Sequence, residues 1–145
     1  MENGSIGKAF ELAFSAHRGQ IDKLGEPYIT HLVRVASALK DPREQIVALL
    51  HDVIEDCGIK REDIAKEFGP DIANAVDAIS KRDGEGYEDY LRRVTQNPIA
   101  LRVKRADLAD NSAAGRVAQL PMDVRERLQA KYAIAAAALN AKGAI

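Results

Sequence analysis

The sequence predicts an all-α fold, a single domain of about seven or eight helices that occupies residues 1–145. Apolar residues recur at three- and four-residue spacings along most of the chain, as they do on one face of a helix. We find no alternating apolar and polar run of the kind that marks a half-buried strand. Because 46% of the residues are apolar, the chain can bury a core of its own.

Helix start and stop signals divide the chain into its elements. Asp41-Pro42 and Asn97-Pro98 each pair a capping side chain with a proline in the first helical turn. Gly58 is expected to end the helix that begins at Pro42. The expected helices lie near residues 4–18, 30–39, 42–57, 61–68, 70–80, 87–96, 98–111 and 122–141, with a connection at 112–121.

Composition excludes several classes of function. The formal net charge of −1 offers no broad basic field for long nucleic acid, although a local pocket can still hold a small anion. Cys57 is the single cysteine, so no intramolecular disulfide forms. No apolar run approaches the roughly 20 residues that cross a bilayer, and residues 1–8 lack a secretory signal. We therefore expect a cytoplasmic protein without membrane contact, whose oligomeric state the sequence leaves open.

The stretch with the most chemical information is His51-Asp52, followed by Glu55 and Asp56. On a continuous helix, Glu55 and Asp56 stand one turn beyond His51 and Asp52 on the same face. Three acids directly after the apolar run at 47–50 are costly to bury unless a cation compensates their charge. This cluster therefore predicts a divalent metal site.

A second polar cluster lies on the helix predicted at 98–111. Asp107 and Asn111 share a face at a spacing of four residues, and an aspartate inside a helix has poor intrinsic propensity. An isolated aspartate at such a position is more often an exposed or ion-paired acid than a metal ligand. The assignment of Asp107 as a ligand therefore depends on its meeting the first cluster in space.

Several segments together resemble a known family. The H…HD…D signature of the HD superfamily of metal-dependent phosphohydrolases is similar to the pattern formed by His31, His51, Asp52 and Asp107. The residues around it, GEPYITH at 25–31 and ALLHDVIED at 48–56, resemble the hydrolase domain of the Rel/Spo alarmone enzymes, especially the small, stand-alone (p)ppGpp hydrolases. The resemblance covers residues 7–135 and implies one HD-domain helical bundle.

The resemblance implies a role for each residue of the site. One divalent cation, Mn²⁺ first and Fe²⁺ as the alternative, would be held by His31, His51, Asp52 and Asp107. Glu55 and Asp56 would position and activate the attacking water, and Lys23 and Asn111 would contact the nucleotide. Two imidazoles and two carboxylates suit a borderline or hard ion and leave coordination positions open. His17 belongs to the resemblance but not to the ligand set, and we expect it to pack or to form hydrogen bonds.

Departures from the family pattern concern the nucleotide. Asp22 stands where the family carries an arginine that stacks on guanine, Ala113-Ala114 replaces an Arg-Thr pair, and Leu-Ala-Asp at 108–110 replaces Arg-Leu-His. Two roles for Asp22 stay open, since it can accept hydrogen bonds from the edge of the base or point to solvent. The second role is favoured, and Asp22→Arg is then expected to improve alarmone hydrolysis. The cations that are candidates for rebuilding an anion site are Lys81, Arg82, Arg92, Arg93, Lys104 and Arg116.

Three functions follow as alternatives. The first is a guanosine-3′,5′-bis(diphosphate) 3′-pyrophosphohydrolase, which takes a small phosphorylated nucleotide as its substrate. The second is an HD hydrolase of a different nucleotide or phosphoester, and the third is a non-catalytic sensor of a nucleotide or metal. The presence of Glu55 and Asp56 favours an enzyme, because a pure binding protein needs no proton acceptor beside the metal.

Overall fold

The computed structural model describes residues 5–141, so that residues 1–4 and 142–145, including the first residue of the helix predicted at 4–18, lie outside it. Within the described residues the regular structure is helical, and the β-structure amounts to one isolated bridge between Ile21 and Pro27. The prediction of an all-α fold is confirmed. The helices are α1 (Ile6–Ala16), α2 (Tyr28–Ser37), α3 (Pro42–Leu50), α4 (Val53–Cys57), α5 (Arg61–Phe68), α6 (Pro70–Ile79), α7 (Tyr87–Val94), α8 (Pro98–Asn111), α9 (Ala114–Val117) and α10 (Met122–Ala141).

The helix starts follow the capping signals in the sequence. The Asp41 carboxylate accepts a hydrogen bond from the Arg43 backbone N–H at 2.8 Å, and the Asn97 side chain accepts one from Ala100 at 3.0 Å. Gly58 ends α4 with φ 71°, a left-handed conformation that L side chains rarely adopt. These local signals therefore account for the starts of α3 and α8 and for the end of α4.

The helix predicted at 42–57 is interrupted at His51 and Asp52. α3 ends at Leu50, and the backbone of Asp52 leaves the helical region with φ −108° and ψ 1°. The imidazole Nδ1 of His51 lies 2.6 Å from the carbonyl oxygen of Ala48, which in a continuous helix accepts from the N–H of residue 52. A side chain thus competes with the helix for this acceptor. A second difference is α9, which lies within the predicted connection at 112–121.

α3 is the central helix of the core. Every residue from Ile46 to Leu50 is buried, and α3 contacts α1, α2, α6 and α8. A helix that is apolar on all sides must be enclosed by others. His51, which directly follows α3, therefore lies in the interior beside α2 and α8.

The outer helices complete the bundle. α10 packs against α7 and α8, while α5 packs against α6. Among residues 5–141, no helix has both the length and the apolar character needed to cross a membrane.

Candidate metal centre

Three helices bring the predicted ligands together. The side chains of His31 from α2, His51 after α3 and Asp107 from α8 each offer a ligand atom within 4.8 Å of the others, and all three are buried. The Oδ1 atom of Asp107 lies 2.8 Å from His31 Nε2 and 3.3 Å from His51 Nε2. His31 and Asp107 are 76 residues apart in the sequence, so the cluster forms only through tertiary packing.

Asp52 completes the predicted ligand set from the turn between α3 and α4. Its Oδ2 atom lies 3.3 Å from His51 Nε2, and the hydroxyl of Tyr28 donates a hydrogen bond to the same oxygen. The Tyr28 ring lies between the rings of His17 and His31, with centroid distances of 5.1 and 5.4 Å. The expectation that His17 packs rather than ligates agrees with this geometry.

The electrostatics of the cluster favour a cation. Burial opposes the charged form of Asp107, yet the ammonium of Lys104 at 3.1 Å and the two imidazoles hold its pKa well below the usual value. Burial also opposes protonation of His51, but the carboxylates of Asp52 and Asp107 outweigh it and raise its pKa to about 9. The cluster therefore holds the ionised carboxylate of Asp107 in a buried place where positive charge is stabilised.

The donor set fits a divalent transition metal. A backbone carbonyl can only accept, so His51 donates from Nδ1 to Ala48 and directs Nε2 towards Asp107 and Asp52. Two imidazole nitrogens and two carboxylate groups are the ligands that such ions prefer. His31, His51 and Asp107 thus form a possible site for a divalent metal, with Asp52 at its edge.

A cavity of about 840 Å³ opens beside this cluster. This volume lies within the range of pockets that enclose small molecules. Of the residues predicted to form the site, those that line the cavity are Asp22, Lys23, His51, Asp52, Glu55 and Asn111. Of the six candidate cations, Lys81, Lys104 and Arg116 line it, whereas Arg82, Arg92 and Arg93 do not.

The structure separates Glu55 from Asp56. Glu55 lines the cavity, where its Oε1 atom accepts a hydrogen bond from the Lys81 backbone N–H at 2.9 Å. Asp56 does not line the cavity, and its Oδ2 atom accepts from the Gln20 side chain at 3.4 Å. Because the helix breaks at His51 and Asp52, the predicted common face of the four residues does not form.

Asp22 organises a loop and does not point to solvent, since its side chain is only 7% exposed. Its Oδ1 atom accepts from the backbone N–H groups of Leu24 at 2.8 Å and Glu26 at 3.0 Å. Its Oδ2 atom accepts from Arg116 Nη2 at 3.2 Å. The solvent-exposed alternative for Asp22 is therefore wrong, and the carboxylate instead holds Arg116 at the cavity wall.

The charge of Asp22 contributes to stability. Burial raises its pKa, but hydrogen bonds from the backbone of Glu26 and Leu24 and the guanidinium of Arg116 outweigh burial and lower it. A lowered pKa in the folded state means that the stabilisation exists above the unfolded-state value and is lost as the pH falls through the folded-state pKa.

Two residues that contact the predicted metal ligands were not predicted from the sequence to belong to the site. Tyr28 lies three residues before His31, and Asp110 lies three residues after Asp107, so each shares a helical face with a predicted ligand. The Oδ2 atom of Asp110 lies 2.7 Å from His31 Nδ1. A search for polar side chains at that spacing from each ligand identifies both residues.

We expect Asp22→Arg to destabilise the protein rather than improve nucleotide hydrolysis. The change removes the acceptor of two backbone N–H groups and places a second guanidinium beside Arg116. Leaving such donors without a partner costs about 1–3 kcal/mol. Urea unfolding measures the loss of stability. Asp83→Arg, at an exposed loop position, is the control with the same charge change, and equal stability of the two variants contradicts the structural role of Asp22.

Comparisons with known proteins agree with this arrangement. A protein of Vibrio cholerae named guanosine-3′,5′-bis(diphosphate) 3′-pyrophosphohydrolase is 39% identical over 97 residues, which make up 64% of this chain and 14% of that protein. The bifunctional (p)ppGpp synthase/hydrolase SpoT of Escherichia coli K12 is 33% identical over 136 residues, or 83% of this chain and 19% of that protein. The chain thus spans less than a fifth of the length of either relative.

A solved structure and a family model extend the comparison. The structure of a metazoan ortholog of SpoT, described as hydrolysing ppGpp, matches with a TM-score of 0.79 and 23% identity over 96% of this chain and 87% of that one. This likeness supports the helical fold. The family model of the HD domain matches residues 9–99, a range that contains His31, His51 and Asp52. Because that match covers more than half of the chain, this protein belongs to the HD domain family.

Proposed function

We propose that this protein is a metal-dependent phosphohydrolase that removes the 3′-pyrophosphate of guanosine 3′,5′-bis(diphosphate). The observation that carries the proposal is a buried cluster of two histidines and an aspartate beside a nucleotide-sized cavity with a cationic wall. The names of the relatives from Vibrio cholerae and Escherichia coli support this substrate. A cytoplasmic location and a small phosphorylated nucleotide as the binding partner are parts of the same proposal.

One cation would be held by His31, His51, Asp52 and Asp107. Mn²⁺ is the first candidate for this mixed nitrogen and oxygen set, with Fe²⁺ as the alternative. When bound, such an ion polarises a phosphate oxygen and makes a neighbouring water more acidic. Among these residues, His31 and Asp107 do not line the cavity, whereas His51 and Asp52 do, so the substrate approaches from their side.

Glu55 is the proton acceptor in this proposal. The Lys81 N–H fixes one of its carboxylate oxygens at 2.9 Å, which orients the side chain on the cavity wall. The attacking water forms a bond to the 3′ phosphorus and transfers a proton to Glu55, while the bond from phosphorus to the 3′ oxygen breaks and its electron pair stays on that oxygen. The 3′ oxygen then takes up a proton, which gives the 3′-hydroxyl of GDP and free pyrophosphate, and Glu55 returns its own proton to water. Asp56 does not line the cavity and is assigned an indirect role, through its position beside Asp52.

The cavity wall supplies the positive charge that phosphates require. Burial and the nearby ammonium groups of Lys104 and Lys23 lower the pKa of Lys131, so three cations converge on one region of the cavity. Arg116 adds a fourth, and its buried Nε atom has no hydrogen-bond partner within the described part of the chain. We assign this cationic region to the phosphate groups. Lys23 and Asn111 are among the residues that would contact the nucleotide, including its base.

The second candidate is hydrolysis of a different nucleotide. The observation that favours it is that three hydrogen bonds from the loop and from Arg116 already engage the Asp22 carboxylate, two at Oδ1 and one at Oδ2. At most one acceptor position is left, too few for both the N–H and the amine at the edge of guanine. A panel of nucleotides with Mn²⁺, in which phosphate and pyrophosphate are measured separately, distinguishes the two substrates.

Wild-type protein with Mn²⁺ is expected to release pyrophosphate and GDP from guanosine 3′,5′-bis(diphosphate), whereas Glu55→Gln is expected to keep its metal and lose about 10²–10⁴-fold in rate. The amide retains the shape of the side chain but cannot accept a proton. Glu88→Gln, at an exposed position of α7, should retain the full rate. An unchanged rate in Glu55→Gln, or loss of its metal, contradicts the role of Glu55 as proton acceptor.

Asp107→Ala is expected to abolish metal binding, since its carboxylate contacts both imidazoles of the cluster. Wild-type protein purified without chelator should contain close to one metal ion per chain, and the variant almost none, by elemental analysis. Asp89→Ala, an exposed acid on α7, serves as the control. Full metal occupancy in Asp107→Ala contradicts the ligand assignment.

A further inference from the structure

A chain of polar contacts continues behind the cluster, on the side away from the cavity. His31 Nδ1 lies 2.7 Å from Asp110 Oδ2, and the Asp110 side chain is 14% exposed. Arg34 donates to both oxygens of Asp110, from Nε to Oδ1 at 2.8 Å and from Nη2 to Oδ2 at 3.1 Å. Asp110 and Arg34 do not line the cavity and have no part in the proposed chemistry.

Helix geometry explains why the two pairs stand side by side. Arg34 follows His31 by three residues on α2, and Asp110 follows Asp107 by three on α8, so each helix presents two polar groups on one face. The contacts between His31 and Asp107, between His31 and Asp110 and between Arg34 and Asp110 join the two helices. His31 therefore meets one carboxylate at each of its ring nitrogens.

We propose that Asp110 is a positioning residue, which fixes the proton of His31 on Nδ1 and thereby presents the Nε2 lone pair to the divalent cation of the proposed metal centre. An ionised carboxylate has no proton to donate, so the hydrogen bond between His31 and Asp110 requires a proton on Nδ1. Asp107 faces Nε2 in the same way, and a cation bound between them would take the place of any proton on Nε2 while the proton on Nδ1 stays with Asp110. A histidine with this tautomer and a fixed ring orientation is a stronger ligand, and partners of this kind typically change metal affinity by about 10–100-fold. Arg34 holds the carboxylate in place.

Asp110→Asn tests the proposal because the amide has only one acceptor oxygen. If that oxygen faces His31, the amide NH₂ meets the Nε donor of Arg34. If it faces Arg34, the NH₂ meets His31 Nδ1 and favours the tautomer whose Nε2 carries the proton. Either orientation disturbs the ligand while the side chain keeps its shape.

The affinity of Asp110→Asn for Mn²⁺ is expected to be about 10–100-fold weaker than that of the wild type, as measured by calorimetric titration. Arg34→Gln removes the same ion pair between α2 and α8 but keeps the carboxylate, so its affinity should fall far less. Asp77→Asn, in an exposed pair with Arg82, should retain the wild-type affinity. Equal losses in Asp110→Asn and Arg34→Gln, or an unchanged affinity in Asp110→Asn, overturn the proposal.

A measurement on the wild type removes any dependence on whether Asp110→Asn folds. The chain has three histidines, so two-bond ¹⁵N–¹H correlation spectra of the protein loaded with diamagnetic Zn²⁺ can resolve each ring. We expect His31 to show a protonated Nδ1 and a coordinated Nε2. A proton on Nε2, or coordination through Nδ1, excludes the proposed role.

The inference rests on the proposed metal centre, and Asp107→Ala separates the two. If Asp107→Ala binds Mn²⁺ as tightly as the wild type does, the metal centre itself is wrong and the inference fails with it. If Asp107→Ala loses the ion while Asp110→Asn retains wild-type affinity, only the role of Asp110 is wrong.

Discussion

The buried carboxylate of Asp107 is the group on whose contacts the arrangement of the site depends. A single negative charge in the interior is strongly unfavourable unless other groups compensate it. Here the compensation comes from His31 on α2, His51 after α3 and Lys104 on its own helix, and the Asn111 amide adds a hydrogen bond at 3.3 Å. Each of these groups must be in place at once, so the packing of α2, α3 and α8 and the chemistry of the site have a common origin.

The interruption of the helix after Leu50 lets one segment serve both the core and the site. From Ile46 to Leu50 every residue of this segment is apolar and buried in the core. At His51 the imidazole captures the Ala48 carbonyl, and the backbone turns at Asp52 before α4 begins. The turn places Glu55 on the cavity wall, where it meets the Lys81 backbone, whereas Asp56 does not line the cavity and contacts Gln20. Two acids that are neighbours in sequence therefore have different surroundings.

Local sequence signals predicted the parts of this structure that local forces decide. The caps at Asp41 and Asn97 and the glycine stop at Gly58 depend on a few neighbouring residues, so they were visible in the sequence. The family signature predicted the meeting of His31, His51 and Asp107, which the structure brings within ligand distance. The break at His51 was not predicted, because a histidine in an apolar run gives no sign that its ring will compete for a backbone carbonyl.

The place of Asp22 was also beyond local prediction, because the partner that engages it, Arg116, lies 94 residues away. The predicted metal ligands are also far apart in the sequence, and this has a consequence for how the protein folds. Because α2, α3 and α8 must all be docked before the ligands meet, a partly folded chain offers no complete site, and an ion that binds there selects the folded state. At a free ion concentration 100 times the Kd, such binding adds about 2.7 kcal/mol to the free energy of unfolding. For the proposed metal centre, the free energy of unfolding therefore depends on the concentration of free ion as well as on the packing of the helices.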